Sequence, residues 1–169
     1  LAASGYGGEK GVVMMPTDFP IYNAMAEVTG ELLRRIGFNA EVQAMDWATA
    51  MQRRAKPDPV AQGGWSVFHT GWGGSEELNP VTNIWLRGNG KDAAPGWPDS
   101  PRLESLRTEW LQAPDVAAQK RVAEAMQRQA FEDVPYIPTG QLFTPVAYRS
   151  DLTGAVSYTH LRAHETEAD

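Results

Sequence analysis

The sequence contains no cysteine and only three histidines. Without cysteine, the chain has no disulfide, no thiolate metal ligand and no cysteine nucleophile. It also lacks any apolar run near the roughly 20 residues that a membrane-spanning helix needs. Acidic side chains outnumber basic ones by 21 to 15, a net charge of −6. This balance argues against binding to a nucleic-acid backbone, which needs clustered Lys and Arg.

The composition is that of a globular domain: 169 residues, 42% hydrophobic and 21% charged. Residues 1–10 show neither an initiator Met nor the pattern of a signal peptide, and are predicted to begin inside an element of a longer protein. At the other end, residues 156–166 (VSYTHLRAHET) resemble the translation of a transposase adaptor used in sequencing libraries. The sequence therefore predicts a body, residues 1–154, and a non-native tail, residues 155–169.

The tail contains His160 and His164, four residues apart on one predicted helical face. Two imidazoles at this spacing can share a metal ion, but no third ligand stands near them in the sequence. No metal and no other cofactor is therefore predicted. Without the tail, His69 is the single histidine of the body.

The first half of the body alternates strand and helix patterns. Residues 11–15, 40–45 and 65–70 are apolar or alternating stretches that predict three strands. Asp46 is predicted to cap the helix before the third strand. The strand–helix–strand–helix–strand order favours an α/β fold, with a largely parallel sheet covered by helices.

The helix between the first two predicted strands has a strong apolar period. Asp18 is its predicted N-cap, and Gly37 is its predicted stop. The residues that recur at helical spacing, and that are predicted to face the core, are Ile21, Met25, Val28, Leu32 and Ile36.

The second half begins with residues 71–101, which are rich in Gly, Asn and Pro. This stretch is too long for an idle connection and predicts a functional surface loop with short helical turns. Two helices should follow, one from Pro101 to Gln112 with Leu103, Leu106 and Trp110 inward, and one capped by Asp115 with Val122, Met126 and Ala130 inward. Residues 134–149 contain three prolines, so they predict irregular structure or edge strands.

Tryptophan indicates a binding site. All six tryptophans fall between positions 47 and 110, and Trp72 stands between two glycines just beyond a predicted strand. Open α/β sheets usually bind ligands at that end of a strand. A tryptophan on a helix stripe, such as Trp110, is more often core, and a strand histidine such as His69 is more often a buried structural residue. The candidate ligand-binding residues are His69, Thr70, Gly71, Trp72, Gly73, Gly74, Glu76 and Asn79.

The sequence contains no recognisable arrangement of catalytic residues. No Gly-x-Ser-x-Gly turn precedes a helix, and residues 71–74 lack the Lys-Ser/Thr of a phosphate loop. The spacing of Glu76, Glu77 and Asp92 does not place two carboxylates across a cleft. The alternative to a binding protein is a hydrolase or transferase that uses carboxylates near Glu76 and Asp92 with His69 as acid–base. A folded but inactive fragment is the third possibility.

Five segments occur in the order found in one protein family. They are residues 37–47 (GFNAEVQAMDW), 65–74 (WSVFHTGWGG), 79–80, 118–129 (AQKRVAEAMQRQ) and 133–138 (DVPYIP). Together they resemble the peptide- and nickel-type (family 5) solute-binding proteins of ABC importers. The resemblance implies one lobe of a two-lobed, type II periplasmic-binding-protein fold, truncated and matching the family's C-terminal portion.

The resemblance also implies a function. Such proteins act in the periplasm, or lipid-anchored outside the cytoplasm, and pass a peptide-like or other small polar solute to an ABC permease of the inner membrane. In dipeptide-binding members, an Asp directly after the Gly-Trp-x-Gly segment pairs with the ligand's amino group. Here Ser75 follows Gly74 and cannot form that charge-assisted bond. Either Glu76 takes the role, or the protein does not bind a free α-amine.

Overall fold

The computed structural model describes residues 1–151, except 144, 146 and 148. It divides into two compact units, Leu1–Ile137 and a second that begins at Pro138. All described helices and strands lie in the first unit. The described residues of the second contain an ion pair between Arg149 and Asp151. The predicted tail, with His160 and His164, lies outside the described residues, and the predicted boundary after residue 154 stays a prediction.

Two parallel strands form the centre of the first unit. Strand β1 (Gly11–Pro16) pairs with β2 (Ala40–Met45), with Gly11 opposite Ala40. Helix α1 (Pro20–Arg35) connects them and packs on both strands. The fully buried side chains of β1 are Val12, Val13 and Met14. The predicted parallel pairing of these two strands, with a helix between them, is confirmed.

The predicted third strand is wrong over most of its length. Of residues 65–70, only Val67 pairs with β1, as an isolated parallel bridge to Val13. The Ser66 side chain gives the reason, because its Oγ accepts the Val12 N–H at 3.1 Å. The N–H groups of Ser66 and Val67 both donate to the Val12 carbonyl, at 2.9 and 3.0 Å. The Ser66 hydroxyl therefore accepts the Val12 N–H, which in a regular parallel ladder would donate to a backbone carbonyl of the neighbouring strand.

Helix α1 packs on the sheet through a face that the apolar period did not indicate. Ala26 and Gly30 are its buried residues. At Gly30, an added Cβ would lie 2.3 Å from Cγ2 of Val42, so the glycine lets the helix approach β2 closely. The predicted inward stripe is wrong at four of its five positions, because Ile21, Val28, Leu32 and Ile36 are 48%, 69%, 56% and 55% exposed; the fifth, Met25, is half-buried. The helix has two apolar faces, and the one with small residues packs.

The caps were predicted in part. Asp18 does not cap α1, because the helix begins after Phe19 without a side-chain cap. Asp18 Oδ1 instead accepts the backbone N–H of Trp47, at 2.8 Å, at the start of helix α2 (Trp47–Arg54). The predicted cap by Asp46 is confirmed, with Oδ1 accepting the Thr49 N–H at 2.9 Å. Gly37 has a φ of 90° and follows the end of α1, as predicted.

The remaining elements follow the sequence closely. Residues 71–101 contain the four-residue helix α3 (Gly74–Glu77) and 3₁₀ turns at Ile84–Leu86 and Gly90–Asp92. Helix α4 (Pro101–Gln112) has the predicted bounds and packs against α5 (Val116–Asp133). Leu103, Leu106 and Met126 are buried there. Two further 3₁₀ turns are Ala2–Ser4 and Val60–Gln62.

The predicted cap of the last helix is also confirmed, because Asp115 Oδ1 accepts the Ala118 N–H at 2.7 Å. The described residues after α5 form no strand. None of the helices in the described part of the chain has the length and apolar character to cross a membrane.

Candidate functional site

Loops from three parts of the chain lie at the carboxyl ends of the parallel strands. The residues after β1 and β2 are tied together, because the Thr17 N–H donates to the Met45 carbonyl at 2.8 Å and Asp18 accepts the Trp47 N–H. The third loop, residues 70–74, follows the segment that bridges to Val13. Parallel pairing brings these loops to one edge, where open α/β sheets bind their ligands.

An aromatic cluster occupies this edge. Phe19, Tyr22 and Trp47 have ring centroids 4.9 to 5.7 Å apart. Tyr22 stacks on Trp47 with an interplanar angle of 20°. Phe19 is exposed, and the other two rings are half-buried. The three rings therefore form a supported aromatic surface that is partly open to solvent.

Gly71 lies directly against this cluster. A Cβ added at position 71 would be 2.9 Å from the hydroxyl oxygen of Tyr22. Because glycine has no side chain, the backbone of the 70–74 loop can approach α1 here. The predicted glycine-rich loop and the aromatic cluster are thus neighbours, and Tyr22 stands between them.

Trp72 is the most prominent candidate in the loop. Its indole is 47% exposed, although one side is held by Trp85. The two ring centroids are 5.9 Å apart, and the planes meet edge-to-face at 69°. Trp85 itself is buried. The contact leaves Trp72 both positioned and accessible, which suits a side chain that stacks on a ligand.

The glycines after Trp72 lead into α3. Gly73 is the N-cap residue, and Gly74 is the first helical residue. Glu76 is exposed, whereas Glu77 is half-buried. Burial and the neighbouring charge of Glu76 raise the pKa of Glu77 above its usual value. Glu76 is therefore the carboxylate of this turn that is open to a ligand.

Asn79 is engaged in a turn. Its Oδ1 accepts the Val81 N–H at 2.9 Å, and its backbone carbonyl accepts the N–H groups of Thr82 and Asn83 at 3.1 and 3.0 Å. Asn side chains commonly form such turns. The predicted ligand contact of Asn79 stays a prediction, and in this structure its amide oxygen shapes the loop.

His69 is buried behind the loop. It is 8% exposed, and its Nε2 lies 2.9 Å from the Thr29 hydroxyl on α1. Its Nδ1 is buried without a hydrogen-bond partner. Burial lowers the pKa of the imidazole below its usual value. His69 therefore joins the loop to α1, and the half-buried Thr70 is the first loop residue with access to solvent.

The alternative hydrolase or transferase would need His69 and a carboxylate such as Asp92 to act together. The described hydrogen bond of His69 goes to a hydroxyl, not to a carboxylate. Asp92 lies in a separate 3₁₀ turn and is exposed. Among the described residues, no group of three or more His, Cys, Asp or Glu side chains could hold a metal ion.

The aromatic cluster was not predicted as a site. Trp47 counted only as one of six tryptophans, and Phe19 and Tyr22 were not singled out. A signal was available, because Phe19 and Trp47 each follow a predicted strand within four residues. Aromatic residues at the carboxyl ends of two adjacent parallel strands are candidates for one shared surface.

The fold defines a class of protein. Over 80% of its length, the chain matches a solved dipeptide-binding protein from Pseudoalteromonas in complex with Met-Leu, with a TM-score of 0.54 and 21% identity. The chain covers 27% of that protein. It therefore has the α/β fold of part of a periplasmic-type binding protein, as the resemblance implied.

The sequence points to a particular relative. The chain is 38% identical, over 156 residues or 92% of its length, to a "Probable peptide ABC transporter periplasmic-binding protein y4tO" of Sinorhizobium fredii. It spans 29% of the length of that relative. No family model matches the chain. The resemblance to peptide-type solute-binding proteins, drawn from segments such as residues 37–47 and 65–74, is confirmed.

Proposed function

We propose that the chain is part of an extracytoplasmic solute-binding protein that delivers a peptide-like or other small polar solute to an ABC permease of the inner membrane. The observation that carries this proposal is the 38% identity, over 92% of the chain, to a probable peptide ABC transporter periplasmic-binding protein. The proposed location is the periplasm, or the outer face of the membrane with a lipid anchor. Binding is the whole function, and no bond is made or broken.

Trp72 is the proposed stacking residue. Its half-exposed indole is held by Trp85, so little rotamer freedom is lost when a ligand packs on it. The cluster of Phe19, Tyr22 and Trp47 supplies a second aromatic surface at the same edge of the sheet. Aromatic walls with a few placed polar groups are typical of sites for small polar molecules.

The polar contacts are proposed to come from the loop and from α3. Gly71, Gly73 and Gly74 are exposed, so a ligand can approach their backbone closely. Glu76 is the exposed carboxylate nearest to these glycines, with Oε2 3.5 Å from the position of a Cβ on Gly73. It is proposed to accept a charge-assisted hydrogen bond from an amino group.

The other candidates have supporting roles in this proposal. His69 is proposed to fix the start of the loop through its 2.9 Å contact to Thr29. Asn79 is proposed to hold the turn after α3, and Thr70 to offer its hydroxyl at the loop's first position. The alternative hydrolase or transferase gains no support, because His69 is buried against a threonine and has no described carboxylate partner.

The six indole N–H groups of the chain allow a direct test. Each gives a separate peak in a ¹H–¹⁵N NMR spectrum, and such peaks report even weak binding. Titration with the dipeptide Met-Leu, with longer peptides and with free amino acids should shift the peaks of Trp72 and Trp47. The peak of Trp110, on α4, is the internal control and should stay in place.

Substitution of single tryptophans then tests which of them binds the peptide. Trp72→Ala should weaken peptide binding by about fivefold, because a stacked aromatic contributes about 1 kcal/mol. Trp110→Ala should leave the affinity unchanged within error. The proposal fails if no peptide moves the Trp72 and Trp47 peaks while the spectrum shows a folded chain, or if Trp72→Ala binds as tightly as the unmodified chain.

A further inference from the structure

The charged side chains of the three loops at the carboxyl edge of the sheet all have the same sign. The loops are residues 17–22, 46–49 and 70–79, and their charged residues are Asp18, Asp46, Glu76 and Glu77. These three described stretches contain no Lys, Arg or His. The same loops contribute Trp72 and most of the aromatic cluster. Carboxylates and the faces of aromatic rings both attract cations.

Two of the four carboxylates are used by α2. Asp18 Oδ1 accepts the Trp47 N–H at 2.8 Å, and Asp46 Oδ1 accepts the Thr49 N–H at 2.9 Å. These contacts offset the partial positive charge at the N-terminus of α2. Glu76 is exposed, and the ion pairs in the described part of the chain do not include it. Its carboxylate is therefore available to a ligand.

The basic residues of α1 and α2 lie away from this edge. They stand in the last turn of each helix, whereas both helices begin at the edge: Arg34, Arg35, Arg53 and Arg54. At a rise of 1.5 Å per residue, they are about 21 Å and about 9 Å along the helix axes from the first turns. The contact of Arg34 agrees with this placement, because its Nε donates to the carbonyl of Ala40, at the opposite end of β2, at 3.1 Å.

The basic residue that follows the Trp72 contact in sequence is already paired. Arg87 stands two residues after Trp85, the indole that holds Trp72. Its Nε and Nη2 donate to the two carboxylate oxygens of Glu104, at 2.9 and 3.0 Å. This bidentate pair is half-buried and satisfies the guanidinium locally. Arg87 is therefore not free to bind a ligand's carboxylate.

The free carboxylate and the aromatic faces are within reach of one small molecule. A Cβ built on Gly71 would lie 2.9 Å from the Tyr22 hydroxyl, and one built on Gly73 would lie 3.5 Å from Oε2 of Glu76. Only Trp72 separates these two glycines, so their Cα atoms are at most about 7 Å apart. An extended dipeptide has about the same length.

We propose that the solute is a peptide-like molecule with a net positive charge, whose ammonium group binds between Glu76 and the neighbouring aromatic faces. This assignment rests on the proposed function and names its substrate class. The ammonium gains an ion pair and a cation–π contact. A free carboxyl terminus meets only acidic side chains in these loops, so it gains no charged partner there.

Four ligands that differ only in their terminal charges test the assignment: Met-Leu, Met-Leu amide, acetyl-Met-Leu and acetyl-Met-Leu amide. Each is titrated into the full 169-residue chain, and the indole peaks of Trp72 and Trp47 are followed by NMR. At about pH 6 the α-amino groups are protonated, because their usual pKa is about 8. Met-Leu amide should bind at least as tightly as Met-Leu. Acetylation should weaken binding by about fivefold, or about 1 kcal/mol, as expected for exposed ion pairs and cation–π contacts.

Two matched variants locate the effect. Glu76→Gln keeps the size of the side chain and removes its charge, so Met-Leu amide and acetyl-Met-Leu amide should then bind alike. Asp92→Asn makes the same change in net charge at an exposed carboxylate in a separate turn. This control should retain the fivefold difference, and the NMR spectrum of each variant checks that the chain is folded.

The outcomes separate the substrate class from the proposed function. If acetyl-Met-Leu binds as tightly as Met-Leu amide, or if amidation weakens binding, the preference for a cation is overturned while peptide binding stands. An equal effect of Glu76→Gln and Asp92→Asn would overturn the role of Glu76 and with it the proposed site of the ammonium group. If none of the four ligands moves the Trp72 and Trp47 peaks, the proposed function fails and the substrate class fails with it.

Discussion

Gly64 is the position where one methyl group should cost the most stability. Its N–H donates to the Pro59 carbonyl at 3.1 Å, which closes the loop after α2. A Cβ built on Gly64 would lie 1.7 Å from the carbonyl oxygen of Asp58, whereas real Cβ contacts essentially never fall below 3.0 Å. The obstructing atom belongs to the backbone, so no rotamer change relieves the overlap. In Gly64→Ala the loop must open.

The loss of stability in Gly64→Ala can be calculated from the hydrogen bonds that hold this loop. Arg53 donates through Nε to the Gly63 carbonyl at 2.9 Å and through Nη2 to the Gly64 carbonyl at 2.7 Å. A hydrogen bond from a charged donor contributes about 1.5–3 kcal/mol. Since Arg53 is half-buried, the low end applies, and loss of both bonds costs about 3 kcal/mol. Against a total stability of about 5–15 kcal/mol, this is a large fraction.

Urea unfolding followed by circular dichroism at equilibrium measures this loss. The matched control is Gly74→Ala, because a Cβ at Gly74 meets no atom within 4 Å and its φ is not positive. The control should change the free energy of unfolding by no more than about 0.5 kcal/mol. If Gly64→Ala and Gly74→Ala differed by less than about 1 kcal/mol, the reasoning from backbone overlap would be refuted.

Two further predictions concern the contacts of α1. His69 has a lowered pKa in the folded chain, so the unfolded chain takes up a proton first as the pH falls below 6.5. The neutral, buried His69 therefore contributes to stability above that pH, and this contribution is lost on acidification. Urea unfolding at pH values above and below 6.5 should show a steeper loss for the unmodified chain than for His69→Gln. Gly30→Ala should destabilise by about 1 kcal/mol, because overlap with Val42 outweighs the gain in helix propensity. With Val42→Ala in the background, the same change should stabilise by up to about 1 kcal/mol.

Each of these two predictions has an outcome that contradicts it. A pH profile of His69→Gln that parallels the unmodified chain would show that burial of the imidazole is not linked to stability. If Gly30→Ala stabilised the chain that retains Val42, the close approach of α1 to β2 would not limit the side chain at position 30. Thermal unfolding of the same variants gives an independent check on the order of stabilities.

The candidate site shows how far sequence reasoning reached. Trp72 was expected beyond a strand end because its glycine neighbours are visible in the sequence. The structure places it, half-exposed, in the loop that follows the single bridge of Val67 to β1. The cluster of Phe19, Tyr22 and Trp47 was not expected, because two of these residues lie far from Trp47 in the chain. Only the parallel pairing of β1 with β2 brings their loops together. The pairing itself was predicted, but which side chains of the two loops meet depends on contacts between residues that are distant in the chain.

The fold shows the same division. The bounds of α4 and the caps by Asp46 and Asp115 were predictable, because proline at a first turn and a capping carboxylate act within four residues. The role of Asp18 was not predictable, because its Oδ1 accepts the backbone N–H of Trp47, which belongs to a different helix. The third strand failed for a related reason, because Ser66 uses its hydroxyl where a ladder needs a carbonyl.

The sequence by itself determined the first two strands, the main helices, their order, and the resemblance to peptide-type solute-binding proteins. These depend on local periodicity, on caps and on the order of segments along the chain, none of which requires knowledge of tertiary contacts. The tertiary structure decided which face of α1 is buried. The stripe from Ile21 to Ile36 is the more hydrophobic by composition, but Gly30 and Ala26 allow closer contact with the sheet. Packing depends on shape and distance as well as on hydrophobicity, and only the folded chain supplies the shape.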